Sequence, residues 1–330
     1  MPHNTSNVEV IGIGAPIIDY ILDVSETFIQ QLPGAKGGMT IINHDAFNKI
    51  LNACDPPTLR LGGSSANTVR GLASLGNACA FIGKTGRDEA GKAFYDGLKA
   101  LGIPMLLKPV EQPTSQVLCL VTPDKERTMR AFLGASTGLT VEDLHPEFFK
   151  GVKLVHFEGY NLLNPALIRK AMMLAKKAGA RVSLDLGSFE VVKANKGLIA
   201  ELLTRYVDVV FANQDEVYAL TGLKERRAGE VLKDFCSTVV VLMGEHGCWV
   251  MRDAHAIHRK AIPVEAPVDT TGAGDLFASG FLHGYLQGLS LEECAHYGAM
   301  TGAAVVQVKG VELTQEQWSQ LRADFVKNIK

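Results

Sequence analysis

The chain predicts an α/β fold in which one largely parallel sheet is covered by helices on both faces. Three observations carry this. From residue 92 onward, strand-like and helix-like stretches alternate, an order that favours parallel pairing through crossover helices. Polar clusters recur at the carboxyl ends of the expected strands: Glu158-Gly159-Tyr160, Asp185-Leu186-Gly187, Asn213-Gln214-Asp215-Glu216 and Gly244-Glu245-His246-Gly247. Such sheets bind ligands at that edge, so the clusters converge on one site. Finally, the 330 residues hold no internal repeat, low-complexity tract or linker, which favours a single domain over 1–330.

Val8 to Gly14 reads as a buried first strand ending in glycines. Gly12-Ile13-Gly14 lacks the third glycine of a dinucleotide fingerprint, whose place holds Ile17. Pro16 and the alternation of Ile18, Tyr20 and Leu22 then predict another strand, not a helix. Asp19 falls just after the first strand, where an aspartate commonly serves a turn. Further short β pieces are expected at 18–24, 38–43, 115–122 and 127–132, the last two joined by the turn Pro123-Asp124-Lys125-Glu126. Arg127 and Arg130 lie in the final piece, either solvated or reaching a ligand.

Gly62 to Gly76 reads as a glycine turn feeding an amphipathic helix. Gly62 and Gly63 permit close backbone approach, Asn67 offers both a donor and an acceptor, and Ser64 or Ser65 would cap the helix. Gly83-Lys84-Thr85-Gly86 mimics a phosphate-binding loop, but the glycine required five residues earlier is Ala78. Then come helix 91–101, strand 153–157, helix 164–178, strand 181–185, helix 190–204, strand 208–211, helices 214–220 and 225–235, and strand 238–243. A strand-like run, Ala261 to Val264, leads to the segment from Val268 to Phe281.

That segment is a glycine-rich loop opening a helix, with Leu276, Phe277, Phe281, Leu282, Tyr285 and Leu286 at helical spacing. A helix start exposes unpaired N–H groups and partial positive charge, so it attracts anions. Gly272 and Gly274 let a phosphate approach that backbone. Asp275 stands where the helix would welcome an anion. On spacing alone two readings stay open: an N-terminal cap, or a general base beside an anion hole.

Composition narrows the function classes. A 47% hydrophobic, 21% charged chain is ordinary for a globular protein, and a net charge of −2 gives no electrostatic case for nucleic acid or an anionic membrane. No apolar run reaches the ~20 residues that span a bilayer. Met1 to Asn7 is polar without a signal-peptide core, so a cytoplasmic location is expected. The six cysteines show no CxxC spacing and the nine histidines no HxxxH pair, leaving transition-metal ligation and a disulfide framework without support.

Asp269-Thr270-Thr271-Gly272-Ala273-Gly274-Asp275 resembles the C-terminal signature of the ribokinase-like (PfkB-type) carbohydrate and nucleoside kinases. Gly62-Gly63-Ser64-Ser65-Ala66-Asn67-Thr68-Val69-Arg70-Gly71-Leu72-Ala73-Ser74-Leu75-Gly76 resembles the family's other signature. The similarity runs from Val8 to about Val311. It implies a ribokinase-like three-layer α/β/α fold with a mostly parallel central sheet and a small β lid embedded at approximately 15–45 and 113–134. It implies ATP-dependent phosphorylation of an alcohol group on a sugar or nucleoside. Asp275 would be the base, and Gly272, Ala273 and Gly274 the anion hole. Asp19, Gly63 and Asn67 would hold the acceptor, while Asp185, Asn213, Gly244, Gly247 and Thr271 would lie along the nucleotide. Asn213 and Glu216 would organise Mg²⁺ through water, and Asp269, Thr271, Val305, Val308 and Gly310 would surround K⁺.

Arg127 to Ser136 and His156 to Tyr160 resemble the adenosine-kinase-like branch, with Tyr160 stacking on a base or packing in the core. Ala15 and Gly298 stand where relatives carry asparagines, so ribokinase, fructokinase and ketodeoxygluconate kinase activities stay open. So does a non-catalytic sugar- or nucleotide-binding regulator, against which the intact Gly272, Gly274, Asp275 and Glu216 argue. A dehydrogenase is disfavoured by the incomplete glycine fingerprint. A homodimer is compatible with the exposed edge of a lid sheet.

Overall fold

The computed structural model describes residues 7–124 and 126–327. Met1 to Ser6, on which the expectation of no signal peptide mostly rests, and Lys125 of the 123–126 turn lie outside the described residues. Short apolar runs bounded by glycine or polar turns become strands: β1 Val10–Ile13, β2 Ile17–Asp23, β3 Met39–Ile41, β4 Thr58–Gly62, β5 Cys79–Ile82, β6 Ser115–Val121, β7 Arg127–Phe132, β8 Leu154–Phe157, β9 Arg181–Asp185, β10 Val209–Asn213, β11 Thr238–Leu242, β12 Cys248–Arg252 and β13 His255–Arg259.

They form two sheets. The larger has the order β13-β12-β11-β10-β9-β8-β1-β5; it is parallel from β5 to β11 and ends in two antiparallel strands. Every residue of β1, β5 and β8 is buried, as expected for a sheet covered on both faces. Successive residues of β1 feed opposite layers. Val10 packs with Phe81, Phe211 and Phe281 beneath the helices Ser64–Ser74 and Ala273–Leu286. Ile11 and Ile13 pack with Val155, Ile168 and Met172 beneath the helix Pro165–Lys177.

Two glycines bring the site's helices together. A Cβ on Gly12 would lie 2.4 Å from Val69 Cγ2, and one on Gly71 would lie 2.5 Å from Ser279 Oγ. Their absence lets the helix Ser64–Ser74 lie tight against both β1 and the helix Ala273–Leu286.

The smaller sheet runs β3-β7-β6-β2-β4. It includes β4, outside the expected spans 15–45 and 113–134, because Thr58–Gly62 pairs antiparallel with β2. The expected strand at 261–264 is absent: Pro263 lacks an N–H for a ladder, and the segment runs irregularly along the cleft described below. The strands before it are β12 and β13, a hairpin that the sequence reading passed over. The expected helix 190–204 is two helices, Phe189–Ala194 and Lys196–Arg205. Between them Asn195 leaves helical geometry and its side chain caps the Val191 carbonyl. All six cysteines are free thiols. Among the described residues, no helix is long and apolar enough to cross a membrane.

Candidate active site

The carboxyl ends of β1, β8, β9, β10 and β11 face one side of the smaller sheet across a cleft of about 2050 Å³. Into it opens the helix Ala273–Leu286. Gly272, just ahead of it, has φ 69°, and a Cβ there would lie 2.1 Å from Val311 Cγ1, so only glycine fits. Gly274 differs: an added Cβ would meet only Leu242 Cδ1, at 3.5 Å. Nothing among the described residues requires glycine there, so its small size leaves room in the cleft. The Ala273 N–H is already engaged by the Thr270 carbonyl at 3.2 Å, whereas those of Gly274 and Asp275 take no backbone carbonyl among the described residues.

Asp275 sits in the first turn, and the start of the helix Ser64–Ser74 holds both of its carboxylate oxygens. Ser64 Oγ donates to Oδ1 at 2.7 Å and Asn67 Nδ2 donates to Oδ2 at 2.9 Å. Burial pushes the Asp275 carboxyl above its ordinary range, and these two donors pull it back. Asn67, expected on the acceptor, therefore lies on Asp275, and Ser64, expected at most as a cap, shares that task. Gly63 has φ 92°, and a Cβ on it would lie 2.3 Å from the Ala15 carbonyl oxygen.

Asp19, on β2, faces the cleft. A Cβ on Gly62 would lie 2.4 Å from its Oδ2, so that glycine makes room for the carboxylate. Burial pushes Asp19 up to about 7, with Asp275 adding to the rise and Arg127 and Arg70 opposing it.

Glu158 is the residue that sequence reasoning left without a role. It is buried at the end of β8, accepts from the N–H of Ala15 at 2.9 Å and of Ser65 at 3.0 Å, and is pushed up to about 7 by burial. It ties the β1–β2 turn to the helix that holds Asp275. The available signal was an acid directly after four buried strand residues, a place where an acid needs partners.

Asp185 accepts from the Gly187 N–H at 2.8 Å and is raised by burial and by Glu216 and Asp275. Glu216 is raised to about 7, chiefly by burial. Both of its oxygens are engaged by Asn213, through the side-chain nitrogen at 2.7 Å and the backbone N–H at 2.9 Å, in a capping box. Tyr160 packs on the core and lines the cleft, with its hydroxyl pushed up to about 12 by burial. Gly244 and Gly247 line the cleft with φ 56° and 89°. Lys84, of the false phosphate loop, instead pairs with Asp143 at 2.7 Å and the Gly138 carbonyl.

Two ions implied by the resemblance can be tested against these residues. For Mg²⁺ the fit is good. Asp185, Glu216 and Asp275 repel one another in a confined site, which a divalent cation would relieve. No group of three or more His, Cys, Asp or Glu side chains among the described residues is arranged to hold a metal ion; Mg²⁺ usually keeps several waters and takes few protein carboxylates. For K⁺ the charge of the expected set is already met. The Asp269 carboxylate already accepts from the N–H of Thr271 at 2.9 Å, the N–H of Gly310 at 2.8 Å and Arg127 at 2.6 Å. The Val305 carbonyl accepts from the Val308 N–H. The expected K⁺ set of Asp269, Thr271, Val305, Val308 and Gly310 thus has its one carboxylate neutralised from within the chain.

Comparison with known proteins agrees with this architecture. The pfkB family of carbohydrate kinases matches residues 36–318. The crystal structure of adenosine kinase from Sinorhizobium meliloti is 34% identical, superposes with a TM-score of 0.89, and covers 96% of this chain and 99% of its own. That of a probable sugar kinase from Rhizobium etli is 31% identical with a TM-score of 0.90, covering 97% and 99%. A fructokinase from Oryza sativa subsp. japonica is 30% identical over 325 residues, 91% of this chain and 92% of its own. The chain belongs to the pfkB family of carbohydrate kinases: it has the ribokinase-like fold and is an ATP-dependent sugar or nucleoside kinase.

Proposed function

We propose that the acceptor is a nucleoside, phosphorylated on its hydroxymethyl group, and that the protein acts as one catalytic unit covered by the smaller sheet. The observation that carries this is the side-chain row opposite Asp19. In register across the sheet, Asp19 pairs with Val117, Val117 with Ala131, and Ala131 with Ile41. The neighbouring row holds Cys119, Met129 and Met39. All of these line the cleft. Three strand spacings make the row about 14 Å long. A sugar ring alone is far shorter and needs polar partners around its whole rim. A ribose gripped by Asp19 with a flat base laid along Val117, Ala131 and Met129 matches both the length and the change from polar to apolar. Ile41, Met39 and Met129 are 57%, 41% and 37% exposed, an apolar surface awaiting cover. The likeness to the Sinorhizobium meliloti adenosine kinase supports the same choice.

In this reading Asp275 accepts the proton as the acceptor oxygen bonds to the γ-phosphorus of ATP and the bond to ADP breaks. Asn67 and Ser64 keep that carboxylate aimed, and Gly63 and Asp19 orient the acceptor. The helix start at Gly272 to Gly274 offers its dipole and the N–H groups of Gly274 and Asp275 to the transferring phosphoryl group. Asp185, Asn213, Gly244, Gly247 and Thr271 lie along the nucleotide. Magnesium, held through water near Asn213 and Glu216, would neutralise phosphate charge. A cytoplasmic location belongs to the same proposal, and the exposed β3 and β4 edges leave a homodimer open.

The test is ADP release from Mg-ATP with adenosine, inosine, guanosine, cytidine, ribose, fructose and ketodeoxygluconate, with Asp275→Asn alongside. A nucleoside should give the highest kcat/KM, and the variant should lose about 100-fold or more in turnover while still binding ATP. A free sugar as the best acceptor would overturn the nucleoside assignment. An Asp275→Asn enzyme within about tenfold of wild type would remove the base.

A further inference from the structure

Arg127 opens β7 in the smaller sheet, yet its guanidinium crosses to the loop ahead of the helix Ala273–Leu286. Its Nη2 donates to Asp269 Oδ2 at 2.6 Å, and the Asp269 side chain is 4% exposed. The same carboxylate anchors the loop from two other directions, accepting from the N–H of Thr271 and of Gly310. A buried carboxylate that stays charged needs a positive neighbour, and Arg127 is the cation at hand. Only Thr270 and Thr271 separate Asp269 from Gly272, so whatever fixes Asp269 fixes the backbone that turns into the phosphate-facing helix start. The Arg127 charge also opposes the rise of the Asp19 carboxyl, so one guanidinium acts on both carboxylates.

We infer that Arg127 is a built-in cation and a positioning residue: it supplies to the 269–272 loop the positive charge that a bound monovalent ion would otherwise supply, so the enzyme works without K⁺. The inference rests on the proposed role of the helix start in phosphoryl transfer. Its structural half, an anchored loop that needs no ion, stands apart from that role. An arginine suits the position because its charge is permanent and its fork can be held in one geometry. The ion pair also ties the smaller sheet directly to the 269–272 loop.

The experiment compares full-length wild type, Arg127→Ala and Arg127→Lys in chloride salts of potassium, tetramethylammonium and guanidinium at equal, low ionic strength. Two readouts are taken: thermal unfolding of the ligand-free protein, and ATP turnover with the best acceptor. Wild type should show the same midpoint and the same turnover in potassium and tetramethylammonium. Arg127→Ala should unfold earlier and turn over about tenfold or more slower in tetramethylammonium, because it leaves a buried carboxylate without its cation. Potassium or guanidinium should recover part of both losses, and Arg127→Lys should keep part of both without added ion. A wild type that gains stability and rate from potassium would overturn the inference. So would an Arg127→Ala protein that folds but responds to neither cation. The unfolding arm needs no substrate, so a wrong acceptor or a wrong base leaves this test intact.

Discussion

Asn67 Nδ2 donates to Asp275 Oδ2 at 2.9 Å, joining two helix starts that lie 208 residues apart in the chain. The Asn67 amide is fixed at its other end, where Arg70 donates to its oxygen at 3.3 Å. A donor aimed at a carboxylate favours the charged form, which is the form a proton acceptor must hold. Asn67→Leu removes the donor at similar volume, so the Asp275 carboxyl should rise. The acidic limb of the pH–turnover profile should then move upward by about one unit. Turnover at pH 6 should fall more than at pH 8. An unshifted limb would show that Asn67 acts elsewhere.

Gly272 and Gly274 make a matched pair of tests. Gly272→Ala meets both a positive φ and Val311, so it should lower the unfolding midpoint by several degrees, in keeping with about 1–3 kcal/mol of strain. Gly274→Ala has room within the protein and should leave the midpoint nearly unchanged, while its methyl intrudes where phosphate is proposed to bind and cuts turnover. Calorimetry beside initial rates separates the two. An active Gly274→Ala enzyme would move the phosphate site away from this helix start.

Stability should depend on pH in an unusual direction. Asp19 and Glu158 are raised from 3.8 and 4.5 to about 7 in the folded protein. Their folded forms bind protons more tightly than the unfolded chain does, so they weaken the fold as pH rises from about 4 to about 7, with the full penalty above that. The ligand-free unfolding midpoint should therefore fall between pH 5 and pH 8. Asp19→Asn, which cannot ionise, should shrink that fall by about 2–4 °C. A midpoint equally steep in the variant would deny Asp19 its share.

The apolar row makes a kinetic prediction. Met129→Ala removes side-chain area that a base would cover in ground and transition states alike. The nucleoside KM should rise about three- to tenfold with kcat little changed. A fall in kcat at constant KM would mean that Met129 serves the chemistry and not the base.

Much of this was legible in the chain. The alternation after residue 92 set the parallel sheet, because buried runs linked by helices have few other ways to pair. Glycines at 272 and 63 announced tight backbone, and both proved to have positive φ and no room for a Cβ. Asp275 at a helix start was visible, as were the acids at the ends of β9 and β10. Where the reading failed, the deciding force was remote. Pro263 and its neighbours have strand-like composition but no donor pattern to hold a ladder, and β4 joined the smaller sheet through its pairing with β2.

Sequence alone determined which residues are small, charged or apolar, and so which backbone turns and buried strands were permitted. Only the tertiary structure decided which charges meet. Asn67 faces Asp275 instead of open cleft, Glu158 bridges two loops, and Arg127 neutralises Asp269 across 142 residues of chain. The reason is physical: backbone preference is set by each residue and its neighbours. The partner of a buried charge is set by whichever group the packed core brings within about 3 Å, and no local pattern records that distance.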